Sequence, residues 1–121
     1  MTEGLKLFLA ALESGQYQQT TLSLKEGDCF CAAGLACEVH RQAMEGEHHI
    51  WGKYEWNRKP LRRGESYMGH SCRPPSDVVS WLGLSDEQIT MIIHLNDHSL
   101  ASFSEIAVRV KAWAKCQKEA T

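Results

Sequence analysis

The chain has 121 residues, of which 43% are hydrophobic and 23% charged, and its formal net charge is −2. This length suits a single globular domain, residues 1–121, with a core that folds without disulfides or metals. A net charge this close to zero excludes a protein that binds polyanions by bulk positive charge alone.

The beginning of the chain and its cysteine count predict a cytoplasmic protein. The first residues lack the charged and apolar regions of a signal peptide, and no apolar run approaches the length of a membrane span. Five cysteines are an odd number, which is typical of a reducing compartment where thiols stay free.

The first predicted helix has an apolar face whose members recur at helical spacing: Leu5, Phe8, Leu9 and Leu12. We expect Gly15 to end this helix, since glycine is the usual residue after a helix C-terminus. The polar segment 16–24, which contains threonines, is typical of an extended crossing.

The most cysteine-rich segment begins at Asp28, and its small and apolar residues predict a helix with Asp28 as N-cap. On such a helix Cys29 and Cys31 project about 200° apart, and Cys37 lies too far from Cys31 for a disulfide. The C-x2-C spacing typical of zinc sites is missing, so we interpret these residues as buried thiols. Gly34 leaves room for a neighbouring helix or strand to approach closely.

Residues 49–73 form a basic and aromatic segment. Aromatic and charged residues alternate there with glycine and proline, which predicts a small antiparallel hairpin or an ordered loop. The net charge of residues 53–73 is +4, which leaves −6 for the rest of the chain. Such an asymmetry indicates a binding partner rather than a fold.

Three further helices are predicted after this segment. A proline pair precedes the first of them, and capping boxes begin the other two, formed by Ser85 with Gln88 and by Ser102 with Glu105. The predicted fold is α+β and mainly α: a compact bundle of about five helices with a small β-hairpin or loop insert at about 49–73.

Several short motifs follow one another along the chain. In order they are Tyr17-Gln18-Gln19, Asp28-Cys29-Phe30-Cys31-Ala32-Ala33-Gly34-Leu35-Ala36-Cys37-Glu38, Pro74-Pro75 with Val78, Val79, Trp81, Leu82, Gly83 and Leu84, Leu95-Asn96-Asp97, and Ser102-Phe103-Ser104-Glu105-Ile106-Ala107. This order resembles a family of small, mostly uncharacterised bacteriophage and prophage proteins.

The central motif of that family resembles an aromatic residue, two adjacent cysteines and then Leu-Gly-Val-Leu-Cys. In this chain Ala32 stands in place of the second adjacent cysteine, which further weakens a zinc site. The resemblance implies a phage origin and action in the cytoplasm of a bacterial host. It implies no catalytic residues.

The basic and aromatic segment is the predicted binding site. Guanidinium groups bind phosphate through paired hydrogen bonds, and aromatic rings stack on bases. The predicted ligand-binding residues are Trp51, Lys53, Tyr54, Trp56, Arg58, Lys59, Arg62, Arg63 and Arg73. The same residue types are favoured at protein interfaces, so a host bacterial protein and a small nucleotide-type ligand both stay open as partners. The competing interpretation packs the tryptophans onto the helices and leaves the arginines solvated.

These patterns lead to a functional expectation: a phage-type accessory protein that acts by stoichiometric binding, as an anti-defence or host-takeover factor. We expect no cofactor, no metal site and no membrane association. Nucleic-acid binding is a further alternative that the negative net charge makes weaker. The apolar helical faces leave a homodimer open as well.

An enzymatic alternative rests on histidines and cysteine. His94 and His98 have the i, i+4 spacing of helical metal ligands, but no third ligand is evident and solvent-facing histidines are the preferred interpretation. His70 and Cys72 could form a base and nucleophile pair, although such a match arises easily by chance. We therefore expect a protein that is not an enzyme.

Overall fold

The computed structural model of the chain describes residues 1–22, 24–44, 73–74 and 76–120, with side chains as far as residue 116. Within these residues the elements are α1 (Glu3–Ser14), β1 (Gln18–Gln19), β2 (Lys25–Glu26), β3 (Cys29–Phe30), α2 (Ala32–Ala43), α3 (Ser76–Leu82), α4 (Asp86–Asp97) and α5 (Phe103–Ala120). The predicted mainly helical α+β bundle of about five helices with a small β component is confirmed. The predicted insert, apart from Arg73, lies outside the described residues.

Local chemistry fixes both ends of α1. The Thr2 hydroxyl accepts a hydrogen bond from the Leu5 N–H at 3.0 Å and donates one to the Leu82 carbonyl at 2.8 Å. Gly15 ends the helix as predicted, in a left-handed conformation with φ of 73° that favours glycine. The bond from Thr2 to Leu82 also holds the start of α1 against the end of α3.

A hairpin that the sequence analysis did not predict precedes α2. Strands β2 and β3 pair antiparallel, with Glu26 opposite Cys29, and the two-residue turn Gly27-Asp28 connects them. Strand β1, in the segment predicted to be extended, pairs parallel with β3, so the sheet order is β1-β3-β2. Periodicity could not predict this hairpin, because strands of two residues are too short to show an alternating pattern. The Gly27-Asp28 pair is the sequence signal that indicates its turn.

The start of α2 also differs from the prediction. Its N-cap is Cys31, whose Sγ accepts a hydrogen bond from the Gly34 N–H at 3.3 Å, whereas Asp28 lies in the exposed hairpin turn. Because Cys29 belongs to β3, the predicted placement of Cys29 and Cys31 on opposite sides of one helix is wrong. The hairpin uses the residues that the prediction assigned to the first helical turn.

Helix α2 is the central helix of the bundle. Every residue from 31 to 40 is buried, and the helix packs against α1, α3 and α4. A Cβ atom at Gly34 would overlap the carbonyl of Leu24, and one at Gly4 of α1 would overlap the backbone of Trp81. The predicted close approach at Gly34 is confirmed, and the partner is the backbone of the segment that leads into β2.

One cluster of apolar side chains forms the core, and α1 also packs against α5. Its largest fully buried members come from α1, from α2, from the segment before β2 and from all three C-terminal helices: Phe8, Leu5, Leu12, Leu24, Leu35, Leu82, Ile92, Ile106, Val78 and Val110. The first and last helices of the described chain therefore share the same core.

Both predicted capping boxes are confirmed. At the start of α4 the Ser85 hydroxyl accepts from the Gln88 N–H at 3.1 Å, and the Gln88 side chain accepts from the Ser85 N–H at 2.9 Å. At the start of α5 Ser102 and Glu105 exchange the same pair of bonds at 3.2 and 3.1 Å. These bonds satisfy N–H groups that have no partner within the first helical turn.

A hydrogen-bond network centred on Asn96 connects the sheet to α2 and α4. The Asn96 side chain is buried, with 1% of the residue exposed. Its Oδ1 accepts from the Ala32 N–H at 3.1 Å and from Gln19 Nε2 at 2.8 Å. Its Nδ2 donates to the Thr20 carbonyl at 2.9 Å and to Asp97 Oδ1 at 2.8 Å. All four hydrogen-bonding positions of this amide are thereby used.

Gln19 extends the network to the start of α5. Its Nε2 also donates to the Ala101 carbonyl at 2.7 Å, and its Oε1 accepts from the Phe103 N–H at 3.1 Å. Asp97 Oδ1 accepts a further bond, from the Leu22 N–H at 2.9 Å. The network thus joins residues more than seventy positions apart in sequence.

We expect the substitution Gln19→Ala to lower the free energy of unfolding by about 2–3 kcal/mol, because it leaves buried donors and acceptors unpaired. Gln18→Ala is the matched control: the same change at the neighbouring exposed residue of β1 should stay within about 0.5 kcal/mol. Urea unfolding followed by circular dichroism measures both. Equal losses in the two variants would contradict the role of the network.

We expect Gly34→Ala to cost at least about 3 kcal/mol or to prevent folding, because the added methyl group overlaps the Leu24 carbonyl. Gly15→Ala provides the comparison, since Gly15 has positive φ and no neighbouring atom within 4 Å of an added Cβ. Its cost should be about 1 kcal/mol, from backbone conformation alone. Equal losses of unfolding free energy in the two variants, measured by denaturant unfolding, would contradict the close approach at Gly34.

Candidate functional site

Most of the predicted binding site lies outside the described residues: Trp51, Lys53, Tyr54, Trp56, Arg58, Lys59, Arg62 and Arg63. Arg73 is described and exposed. Its Nη2 donates to Thr90 Oγ1 at 2.8 Å and to the Asp86 carbonyl at 3.4 Å. These bonds attach the C-terminal end of the basic segment to α4, whose first turn carries the acidic residues Asp86 and Glu87.

Two polar side chains that the sequence analysis missed are buried on α2. Glu38 is 6% exposed and His40 is 7% exposed. Arg41 Nε donates to Glu38 Oε1 in an i, i+3 ion pair. The His40 ring meets the Trp81 ring edge to face, with centroids 5.0 Å apart. Within the described chain, His40 Nδ1 is a buried nitrogen without a hydrogen-bond partner.

The contact between His40 and Trp81 joins the two helices that flank the basic segment in sequence, because α2 precedes it and Trp81 belongs to α3. The sequence does contain a signal for this burial: small and apolar residues occur on all sides of α2, and a helix that is apolar all round is buried. A charged residue within the covered part of such a helix, as Glu38 is, must then be buried too. Because Glu38 and His40 are two residues apart on α2, their side chains project about 200° apart, and they form two separate buried polar positions.

The cysteines of α2 are structural. Cys31 and Cys37 are buried as predicted, and Cys31 is committed to the helix N-cap. Burial raises the pKa of the Cys37 thiol well above its usual value, and the nearby Cys31, Asp77 and Glu38 raise it further. Since the thiolate is the nucleophilic form, Cys37 is held in its unreactive state at neutral pH.

The other described cysteines are more accessible. Cys29 is half-buried, and its Sγ donates to Gln18 Oε1 at 3.4 Å, while Cys116 is exposed on α5. Both are free thiols. Cys72 and His70, the predicted base and nucleophile pair, lie outside the described residues.

We expect alkylation of the folded protein by iodoacetamide at mildly alkaline pH to label Cys116 and spare Cys37. Cys37 is buried and the pKa of its thiol is raised, so it should react at least about tenfold more slowly than the exposed Cys116. The difference in alkylation rate between the two cysteines should persist as the pH is raised through the ordinary thiol range. It should disappear in urea, which unfolds the protein and exposes Cys37. Peptide mass spectrometry measures each site, and rapid labelling of Cys37 in the folded protein would contradict the assignment.

The two histidines that the enzymatic alternative would use as metal ligands face solvent, in agreement with the preferred interpretation. His94 and His98 are both exposed, with ring centroids 5.3 Å apart at the end of α4. Asp97, which lies between them in sequence, is bonded to Leu22 and Asn96 instead. Among the described residues, no three His, Cys, Asp or Glu side chains converge on a position that would hold a metal ion.

The fold and these sites define a small, mainly helical α+β domain whose central helix is buried on all sides along residues 32–40. The chain belongs to the family described as Domain of unknown function (DUF8296), whose sequence model matches residues 1–114. No curated protein and no solved structure matches the chain. Within the described ranges, no helix has both the length and the apolar character needed to cross a membrane.

Proposed function

We propose that this protein acts by stoichiometric binding through its basic and aromatic segment, residues 49–73, as a small phage-type accessory factor in the cytoplasm of a bacterial host. The observation that supports this proposal is the charge distribution: residues 53–73 carry +4, and the rest of the chain carries −6. Positive charge concentrated in one segment attracts an anionic partner even when the whole protein is slightly negative.

Residue types within the segment favour a nucleotide-type ligand. Arginine binds phosphate through a planar, bidentate fork, and tryptophan or tyrosine offers a flat face for a base. Arg62 and Arg63 are adjacent, and Trp51, Tyr54 and Trp56 occur within the twelve residues before them. Sequestering a nucleotide signal of the host would be an anti-defence activity that requires no catalysis by the protein.

Occlusion of a host protein is the second form of the proposal. Arginine and aromatic residues are also enriched where protein interfaces are strongest, and an acidic host surface would complement the +4 segment. The phage context is supported by the order of motifs along the chain, from Tyr17-Gln18-Gln19 to Ser102-Phe103.

The described chain supports binding rather than thiol chemistry at α2. Burial raises the pKa of the Cys37 thiol, so Cys37 does not provide a thiolate at neutral pH, and the Cys31 Sγ is used as the cap of α2. Arg73 adds a positive observation, since its bonds to Thr90 and Asp86 attach one end of the segment to the helical body.

We expect calorimetry with a panel of cyclic and linear nucleotides to detect binding to the parent protein. The double variant Arg62→Glu/Arg63→Glu should weaken that binding at least about tenfold. The matched control is Arg109→Glu/Lys115→Glu, which changes the net charge equally but on exposed positions of α5. Circular dichroism checks that all three proteins are folded.

Equal weakening in both double variants would mean that bulk charge, not the segment, attracts the nucleotide. If no nucleotide binds, affinity capture from host lysate tests occlusion: a partner retained by parent and control but lost from the segment variant supports it. Binding to DNA that falls steeply with salt and shows no nucleotide preference would favour the nucleic-acid alternative. Failure of all three assays would contradict the proposal.

A further inference from the structure

His94 and His98 keep full helical spacing at the end of α4. His94 lies in the last turn, and His98 is the C-cap with φ of −108° and ψ of −38°, which is still right-handed helical backbone. The His98 N–H donates to the His94 carbonyl at 2.9 Å. Since residues four apart on a helix lie on one face, both imidazoles project from the same exposed surface.

The distance between the two rings is that of two imidazoles bound to one ion. Zinc binds imidazole nitrogen at about 2.0–2.1 Å in tetrahedral geometry, which sets the centroids of two bound rings roughly 5 Å apart. The observed centroid distance is 5.3 Å. The rings are tilted by 34°, between the stacked and edge-to-face arrangements that ring attraction favours.

We propose that His94 and His98 form a binding site for a divalent transition-metal ion, with Zn²⁺ as the representative. Imidazole is a ligand that suits zinc, copper and nickel, whereas calcium and magnesium prefer oxygen. Both proposed ligands come from one element, the end of α4.

The hydrogen-bond network holds the turn that carries both ligands. Asn96 and Asp97 lie between the two histidines in sequence, and their side chains bond to the sheet, to α2 and to Leu22. The backbone of this turn is therefore fixed before an ion binds. Binding orders mainly the two imidazole side chains, which keeps its entropic cost small.

The end of α4 also favours a cation electrostatically. His94 lies in the last turn of α4 and His98 is its C-cap, so both rings lie at the C-terminal end of the helix. A helix C-terminus carries partial negative charge that stabilises nearby cations.

Two protein ligands leave the site open. Asp97 Oδ1 is occupied by the Leu22 N–H and Asn96 Nδ2, and no third ligand side chain converges here within the described ranges. Water completes the coordination of an ion held by two histidines. Open positions of this kind allow the ion to exchange, unlike a closed structural zinc site.

The test is calorimetric titration of the full chain with Zn²⁺ at neutral pH. We expect the apparent Kd to rise at least about tenfold in His94→Ala and in His98→Ala, since each removes one of the two ligands. Ser99→Ala, an exposed neighbour without a metal-binding side chain, should bind like the parent. His98→Gln repeats the loss with a polar side chain in place, which guards against unfolding of the helix end.

Nuclear magnetic resonance of the histidine rings gives a second readout. One equivalent of Zn²⁺ should shift the ring nitrogens of His94 and His98 together, while an excess of Mg²⁺ should not reverse the change. The proposal is overturned if the parent binds no Zn²⁺ at millimolar concentration, or if the histidine variants bind it as well as the parent does.

Discussion

The buried amide of Asn96 is the interaction on which the rest of the structure depends. It pairs with the first N–H of α2, with the carbonyl of Thr20 after β1, and with Gln19, which continues to the start of α5. A buried polar group that loses its partner costs about 1–3 kcal/mol, so the members of this network stabilise one another. The network fixes where α2 begins relative to where α4 ends.

Burial of α2 on all sides is the second constraint, and it determines where chemistry can occur. The backbone contact of Gly34 with Leu24 leaves no room for a larger side chain, and Cys37 is buried as a thiol. Glu38 and His40 are the polar groups that this packing buries. They lie on the helix that leads in sequence into residues 45–72, so the core and the basic segment are joined through a polar helix end.

The elements that could be predicted are those with local signals. The capping boxes at Ser85 and Ser102 depend on residues three apart, and apolar spacing identifies the helices that follow them. The hairpin before α2 could not be found by periodicity, because its strands have two residues each. The pairing of Gln19 with Asn96 spans 77 positions, and no local pattern encodes such a contact.

The candidate sites also differ in whether a local sequence pattern predicts them or only the folded structure shows them. The i, i+4 spacing of His94 and His98 is visible in the sequence, but whether both remain helical depended on the cap geometry at His98. The burial of Glu38 could be predicted only with the knowledge that α2 is covered on all sides along residues 32–40. The aromatic and basic residues of the segment were identified by composition alone, which indicates a ligand class but not a geometry.

Two leucines show how the network reaches the candidate cation site. Leu22 and Leu100 have positive φ, 63° and 51°, a conformation that costs roughly 1–2 kcal/mol for a residue with a side chain. The Leu22 N–H is bonded to Asp97, and Leu100 adjoins Ala101, whose carbonyl accepts from Gln19. These hydrogen bonds offset the strain in both loops. Because the two loops frame the last turn of α4, the bonds that organise the core also hold the backbone from which the two histidines project.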